Sequence, residues 1–150
     1  MANGYCDSKD PTAEKCERYF SQDFNCCESI LKGFSEQLHI DTGIIPRIAT
    51  PFGGGISNRK YMCGALTGAI MVLGIKYGRD DSTQERDPSY SRTDRLVEKF
   101  VGKYGTVNCT ELTGFDPNDP ESIDRNKERV RNTVCIPILR QVSQWLKEEL

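Results

Sequence analysis

The sequence has very little of what nucleophile–base catalysis requires. Histidine occurs once, at His39, and no Ser/His/Asp or Cys/His arrangement with a recognisable local context is present. A lone histidine at a predicted helix end is more often a surface group or a cap than a metal ligand, so His39 is left out of the candidate site. These absences leave the cysteines as the main carriers of chemistry in the chain.

Long hydrophobic runs and long cationic runs are also missing. The longest apolar run, Gly64 to Ile75, is about a dozen residues, against the roughly 20 that a bilayer-spanning helix needs. The formal charge is −2, and positive and negative residues are interspersed, so the sequence lacks the concentrated positive charge that nucleic-acid binding requires. The polar N-terminus does not have the pattern of a secretory signal. We expect a cytoplasmic protein without membrane insertion or nucleic-acid binding.

Alternating strand patterns and internal repeats are absent, whereas helical spacing recurs along the chain. One stripe covers Pro11–Gln22 with Asp10 or Thr12 as its cap, a second runs from Phe20 to Leu38, and a third from Leu96 to Tyr104. We therefore predict a single all-α domain over residues 1–150, a bundle of about five helices with residues 1–10 as a flexible tail.

The centre of this bundle is predicted to be a Gly/Ala-rich helix from Arg59 to Tyr77. Its apolar residues lie on every side, and its small residues let neighbouring backbones approach closely. The triple glycine Gly53–Gly55 predicts a loop before it, with Ser57 or Asn58 as the N-cap.

The second half of the chain is predicted to be more irregular. Residues 78–94 are polar and predict a mobile loop, and Cys109 is expected in an irregular segment. Pro120 is placed to open the last helix, and Pro137 should break or kink that helix just after Cys135.

Four of the seven cysteines lie beside elements that can converge: Cys26, Cys63, Cys109 and Cys135. In a reducing cytoplasm an odd set of seven indicates catalytic, redox or metal-binding roles rather than structural disulfides. Gathered thiolates repel each other and lose hydration, so the four must be neutral, oxidised in pairs or bound to metal. Cys6 in the tail and Cys16 on a helix face are interpreted as functionally silent.

Several motifs together resemble a known family. They are Pro51-Phe52-Gly53-Gly54-Gly55, Cys63-Gly64-Ala65-Leu66-Thr67-Gly68-Ala69, Cys109-Thr110-Glu111-Leu112-Thr113-Gly114-Phe115-Asp116, and Cys135. The chain is similar, from about Tyr19 onward, to the redox-active proteins called the C_GCAxxG_C_C family. The resemblance implies a helical domain with four defining cysteines. It assigns the first position to Cys26 through the Asn25-Cys26 pair, although Cys27 falls on the apolar stripe.

One interpretation of this set is a metal centre. Four thiolates match the ligand count of an iron–sulfur cluster and of tetrahedral zinc, but no Cys-x-x-Cys knuckle is present, which weakens the zinc reading. The ligands would be Cys26, Cys63, Cys109 and Cys135. Backbone amides of Gly53, Gly54, Gly55 and Gly64 would donate hydrogen bonds to cluster sulfurs, and Arg59 and Lys60 would add positive potential.

Two alternatives stay open. In thiol–disulfide exchange, Cys63 is the predicted nucleophile because Arg59 and Lys60 are near it in sequence, and Cys109 is the predicted resolving cysteine. Either chemistry makes the chain an oxidoreductase or electron-transfer protein that works with a redox partner protein. The other alternative is a helical interaction module or structural zinc domain. In it, Trp145 and Leu146 could form a homodimer interface or belong to the core of one chain.

Overall fold

The computed structural model describes residues 10–40 and 42–150, and over these residues it is all-α, as predicted. The α-helices are α1 Pro11–Ser21, α2 Cys26–Gln37, α3 Gly64–Tyr77, α4 Asp87–Tyr104, α5 Cys109–Thr113, α6 Pro120–Val130 and α7 Ile136–Glu149. A 3-10 turn covers Arg47–Phe52, and a π-helical turn, Arg131–Cys135, joins α6 to α7. If α6, the π-helical turn and α7 are counted as one continuous helix, the described residues contain five helices longer than both α5 and the 3-10 turn.

The first helix begins where the capping pattern predicts. The Asp10 side chain accepts a hydrogen bond of 3.0 Å from the Thr12 N–H, which satisfies one of the free donors of the first turn. Asp10, the last residue of the predicted tail, also pairs with Lys147 of α7 at 3.2 Å. The rest of the predicted tail, with Cys6, lies outside the described residues.

Helix α3 occupies the centre of the bundle, as its composition predicts. It packs against α2, α4 and α7, and Leu66, Val72 and Leu73 are fully buried. A Cβ on Gly68 would lie 2.8 Å from the Cys27 carbonyl oxygen, closer than real Cβ atoms come, so the close packing of α2 on α3 requires a glycine there.

The start of α3 differs from the prediction. The helix begins at Gly64 instead of Arg59, and the predicted N-caps Ser57 and Asn58 have left-handed backbone with φ of 50° and 59°. Gly54, Gly55, Ile56 and Lys60 are left-handed too. The stretch is tied together by hydrogen bonds such as Ser57 N–H to Pro51 O at 2.7 Å and Lys60 N–H to Gly54 O at 3.0 Å. Composition does not reveal this conformation, because non-glycine residues rarely adopt it.

Three predictions for the second half are also corrected. Helix α4 already begins at Asp87, inside the predicted loop of residues 78–94. Cys109 opens the short helix α5, because the Asn108 side chain caps it by accepting from the Thr110 N–H at 2.9 Å. Pro137 does not end the helical run after Cys135, because it lies in the first turn of α7. The departure from α-helical geometry is the π-helical turn Arg131–Cys135 before it.

The residues suggested for a dimer face are used inside the protomer. Leu146 is fully buried, and the Trp145 ring packs on Phe100 and Tyr104 with centroid distances of 6.5 and 6.1 Å. The homodimer therefore gains no support from them. None of the helices in the described segments has the length and apolar character that crossing a membrane requires.

Candidate functional site

Four cysteines lie at points where helices begin. Cys26 is the first residue of α2, Cys63 immediately precedes α3, Cys109 is the first residue of α5, and Cys135 immediately precedes α7. The N-terminal end of a helix carries the positive end of its dipole and free backbone N–H groups. The N-terminal ends of α2 and α3 therefore favour negative charge on the sulfurs of Cys26 and Cys63.

The structure brings these four side chains within electrostatic range of one another. Besides burial, the charge of Cys26 acts on the thiols of Cys63, Cys109 and Cys135, and the charge of Cys109 acts on Cys63 and Cys135. All four are partly buried free thiols. Residues that are far apart in sequence thus form one group, which we call the cysteine cluster: Cys26, Cys63, Cys109 and Cys135.

Backbone hydrogen bonds fix two members of the cluster relative to each other. The Cys63 N–H donates to Val107 O at 2.9 Å, and the Cys109 N–H donates to Tyr61 O at 2.6 Å. An isolated antiparallel bridge pairs Met62 with Asn108 between them. Cys63 and Cys109 are therefore carried by two paired segments.

Glycines make room for the cysteine side chains. A Cβ on Gly64 would overlap Cys26 Sγ, and a Cβ on Gly55 would lie 2.9 Å from Cys109 Cβ. Gly53 lies against the Asn25 side chain and Gly54 against Asn58. Of the four predicted glycines, Gly55 and Gly64 directly contact cysteines of the cluster, whereas Gly53 and Gly54 shape the loop.

Burial dominates the acidity of the cluster. It raises the pKa of the Cys63 thiol far above its usual range, and repulsion from Cys26 adds to the rise, while the N–H groups of Leu66 and Ala65 act in the opposite direction. Burial likewise raises the pKa of Cys109, and that of Cys135 to about 12. The lowering of the Cys63 pKa expected from Arg59 and Lys60 is not found, because burial and the repulsion from Cys26 raise it.

Lys60 is the buried cation of this site, and Arg131 adds positive charge beside Cys135. Lys60 is only 8% exposed, and its ammonium is 5.6 Å from the centre of the Phe115 ring. Its positive charge lowers the pKa values of Cys109 and Cys135 and so opposes the effect of burial. Its carbonyl also accepts the Thr110 N–H at 3.0 Å. Arg59, by contrast, is exposed.

The remaining described cysteines lie in the core. Cys27 is fully buried, with Sγ 3.6 Å from Thr67 Oγ1 and 3.9 Å from Met71 Sδ. Cys16 is fully buried where α1 packs, and a Cβ on Gly33 would come within 2.6 Å of its sulfur. Burial raises the pKa of both thiols to about 12, so they behave as small apolar side chains. Of the adjacent pair, Cys26 therefore lies with the cluster and Cys27 in the core.

A cavity of about 640 Å³ opens beside Cys135. Phe20 and Phe115 form part of its wall, and the Arg131 guanidinium stacks 4.3 Å from the centre of the Phe20 ring. Its volume falls in the range of small-molecule sites. Of the cysteine cluster, Cys135 lines this cavity, on the side of the π-helical turn.

Comparison with known proteins identifies relatives of this chain. Residues 24–149 match the sequence model of the family described as "Putative redox-active protein (C_GCAxxG_C_C)". The chain belongs to the C_GCAxxG_C_C family. It is also 28% identical over 130 residues to an uncharacterized protein of Archaeoglobus fulgidus, an alignment that covers 77% of this chain and 84% of that protein. No solved structure matches the chain.

The donor chemistry of the C_GCAxxG_C_C cluster fits a thiophilic metal, because it consists of four free, partly buried thiols, two of which lie against glycines. The side-chain positions do not form a ligand set, however. Within residues 10–40 and 42–150, no three His, Cys, Asp or Glu residues are arranged to hold a metal ion. Metal binding would require side-chain adjustment of cysteines that are already neighbours.

One sequence signal for the site was missed. The tetrapeptides Asn25-Cys26-Cys27-Glu28 and Asn108-Cys109-Thr110-Glu111 share the pattern Asn-Cys-x-Glu. In both, the asparagine caps a helix whose first residue is the cysteine; Asn25 accepts from the Glu28 N–H at 2.9 Å. Asn followed three residues later by Glu is a capping pattern. Its repetition would have placed Cys26 and Cys109 at helix starts.

Proposed function

We propose that the cysteine cluster is the redox centre of the protein and that it holds an iron–sulfur or other thiophilic metal centre used for electron transfer. The observation that carries this proposal is that Cys26 lies within electrostatic range of Cys63, Cys109 and Cys135, although the four residues come from four separate segments. Membership of a family described as redox-active supports the same general function. The protein would exchange electrons with a redox partner protein, and we place it in the cytoplasm.

The acidity of the thiols favours a metal centre over an attacking thiolate. Efficient thiol exchange needs a cysteine with a lowered pKa. Burial instead raises the pKa values of Cys63, Cys109 and Cys135. A bound cation offsets both the desolvation and the mutual repulsion of thiolates, and it deprotonates its ligands outright. When bound, an iron–sulfur centre supplies reversible one-electron chemistry.

The surrounding residues have defined roles in this proposal. Gly55 and Gly64 allow the backbone to approach Cys109 and Cys26. Lys60 supplies positive charge beside Cys109 and Cys135, and the starts of α2 and α3 add their dipoles. Positive charge and hydrogen bonds near a cluster raise its reduction potential, so these groups would tune the centre.

Thiol–disulfide exchange is the second candidate, and a specific observation favours it: the cysteines are free and do not form a ligand set in the described residues. In this reaction the thiols of Cys63 and Cys109 each lose a proton and together lose two electrons as the S–S bond forms. A disulfide of a partner protein accepts both electrons and two protons and becomes a dithiol. Cys63 and Cys109 suit this role because their segments are paired.

Anaerobic purification followed by iron, zinc and sulfide analysis, thiol titration and a visible spectrum distinguishes the candidates. A coloured protein with iron and sulfide, lost on Cys63→Ser and kept on Cys27→Ser, is the expected result. A colourless, metal-free protein whose Cys63 and Cys109 interconvert between dithiol and disulfide establishes the second candidate instead. A zinc-only protein, or one that loses no function when the cluster cysteines become serine, overturns both.

A further inference from the structure

Four large apolar side chains are exposed along one segment of the chain. Ile44 is 58% exposed, Ile48 49%, Tyr61 52% and Ile56 39%, and backbone hydrogen bonds tie the segment together. The other large exposed apolar residues in the described part of the chain are Ile75 on α3 and Tyr90 and Val101, which are 11 residues apart on α4. With the exposed side chains of Arg47 and Arg59, these four residues define what we call the 44–61 surface.

The charge of this surface differs from that of the whole chain. Although the formal net charge of the protein is −2, no Asp or Glu occurs between Asp41 and Asp80. Arg47 and Arg59 are exposed, and neither forms an ion pair with any acidic residue that the structure describes. The segment therefore contributes two unpaired cations and no carboxylate beside its exposed apolar side chains.

The same segment covers the cysteine cluster. Tyr61 O accepts the Cys109 N–H at 2.6 Å, and Cys63 follows two residues after Tyr61. The backbone of Gly55 is so close to Cys109 that a Cβ there would lie 2.9 Å from Cys109 Cβ. A molecule bound at Tyr61 would therefore lie on the segment whose backbone contacts Cys109.

The conformation of the segment keeps one of its apolar side chains exposed. Ile56 has a φ of 64°, which is unusual for a β-branched residue. The hydrogen bonds from Ile56 N–H to Phe52 O and from Arg59 N–H to Ile56 O hold it there. The surface is thus preformed, which lowers the ordering cost of binding.

We propose that the 44–61 surface docks an acidic redox protein, whose apolar centre contacts Ile44, Ile48, Ile56 and Tyr61 and whose carboxylates pair with Arg47 and Arg59. This inference rests on the proposed redox function and adds the chemistry of the partner to it. Apolar centres with charged rims are the usual anatomy of such interfaces, and charge complementarity sets the choice of partner and the association rate.

Titration of the isotope-labelled full chain with two electron-carrier proteins of opposite charge, acidic flavodoxin and basic cytochrome c, tests the proposal by NMR. At low ionic strength, flavodoxin should bind and shift the amide signals of residues 44–61, and added salt should weaken the binding. The double change Arg47→Glu with Arg59→Glu should weaken it by about tenfold or more. The matched double change Arg18→Glu with Arg125→Glu, of equal charge and on exposed residues elsewhere, should leave it unchanged.

Three results would overturn the docking proposal. The first is no binding of flavodoxin at low salt, and the second is binding that is equally strong after Arg47→Glu with Arg59→Glu. The third is a dimer in sedimentation in which a second copy of the chain occupies the surface. The binding readout does not require an active centre. An anaerobically purified, unsubstituted protein that binds flavodoxin but contains no metal would contradict the proposed centre alone, and a coloured iron protein that fails to bind would contradict the docking alone.

Discussion

Cys26 Sγ packs directly against the backbone of Gly64, so that the first residue of α2 and the first residue of α3 meet inside the cysteine cluster. A Cβ at residue 64 would overlap this sulfur and would also lie 3.2 Å from Phe52 O and 3.3 Å from Cys27 N. The absence of a side chain at Gly64 is therefore a condition for Cys26 to reach the cluster.

The first prediction is that Gly64→Ala destabilises the protein and displaces Cys26. Overpacking of this kind costs about 1–3 kcal/mol in the free energy of unfolding, which urea denaturation measures. Gly74→Ala in the same helix is the matched control, because no atom lies within 4 Å of its added Cβ. It should stabilise the protein by up to about 1 kcal/mol. Equal effects at both positions would contradict the packing described for Gly64.

The second prediction separates two adjacent cysteines. Cys26→Ser should abolish metal content with little loss of stability, because Cys26 belongs to the cluster. Cys27→Ala should keep the metal and lower the free energy of unfolding by about 1–2 kcal/mol, because it leaves a small cavity between Thr67 and Met71. Iron per chain and denaturation curves for both variants provide the comparison. The reverse pattern would assign the cluster position to Cys27.

The third prediction concerns Lys60. Its charge opposes the rise that burial causes in the pKa of Cys109, so Lys60→Met should raise that pKa further. In the reduced, metal-free protein, alkylation of Cys109 by iodoacetamide at a fixed mildly alkaline pH should slow by up to about tenfold, which one pKa unit produces. Lys60→Arg, which keeps the charge, should react at nearly the original rate. If both variants were equally slow, Lys60 would be acting through packing alone.

The fourth prediction is a loss of stability at alkaline pH. Burial raises the pKa of Cys16 from 9.0 to about 12, so the folded state holds this proton more tightly than the unfolded state. The stabilisation is complete below pH 9.0 and is lost as the pH rises toward 12. In this range Cys16 contributes a slope of about 1.4 kcal/mol per pH unit in the unfolding free energy.

Cys16→Ala provides the control, since it removes this thiol and leaves the other alkaline titrations in place. Denaturation curves at several alkaline pH values should show a shallower loss of stability in the variant. Parallel losses in the two proteins would mean that the Cys16 thiol is not protected from water.

The sequence predicts the bundle well because its helices are encoded locally. The Asp10 cap, the apolar stripes and the small residues of α3 all act within one or two turns. The predicted start of α3 was wrong by several residues. The left-handed stretch through Ile56 and Lys60 depends on hydrogen bonds to Pro51 and Gly54, and residue propensities do not predict such hydrogen bonds. Cys109 was placed in an irregular segment because the capping role of Asn108 was overlooked.

The candidate site was predicted only in outline. The identities of the cysteines come from motif and family resemblance, whereas their acidity depends on tertiary burial. Neighbouring cations in sequence suggested a lowered pKa for Cys63, but the packed helices remove water from its sulfur and reverse the direction. The distinction between Cys26 and Cys27 likewise needed the contacts of α2 with α3.

Cobalt(II) titration of the reduced, metal-free protein tests the central claim most directly, because cobalt–thiolate absorption reports how many sulfurs bind one ion. If the four cysteines form a single centre, one ion should bind per chain with the spectrum of a thiolate-rich tetrahedral site. Serine at position 26, 63, 109 or 135 should weaken binding, and Cys27→Ser should not. Absence of thiolate absorption, or equal binding in all variants, would contradict the claim that these residues act together.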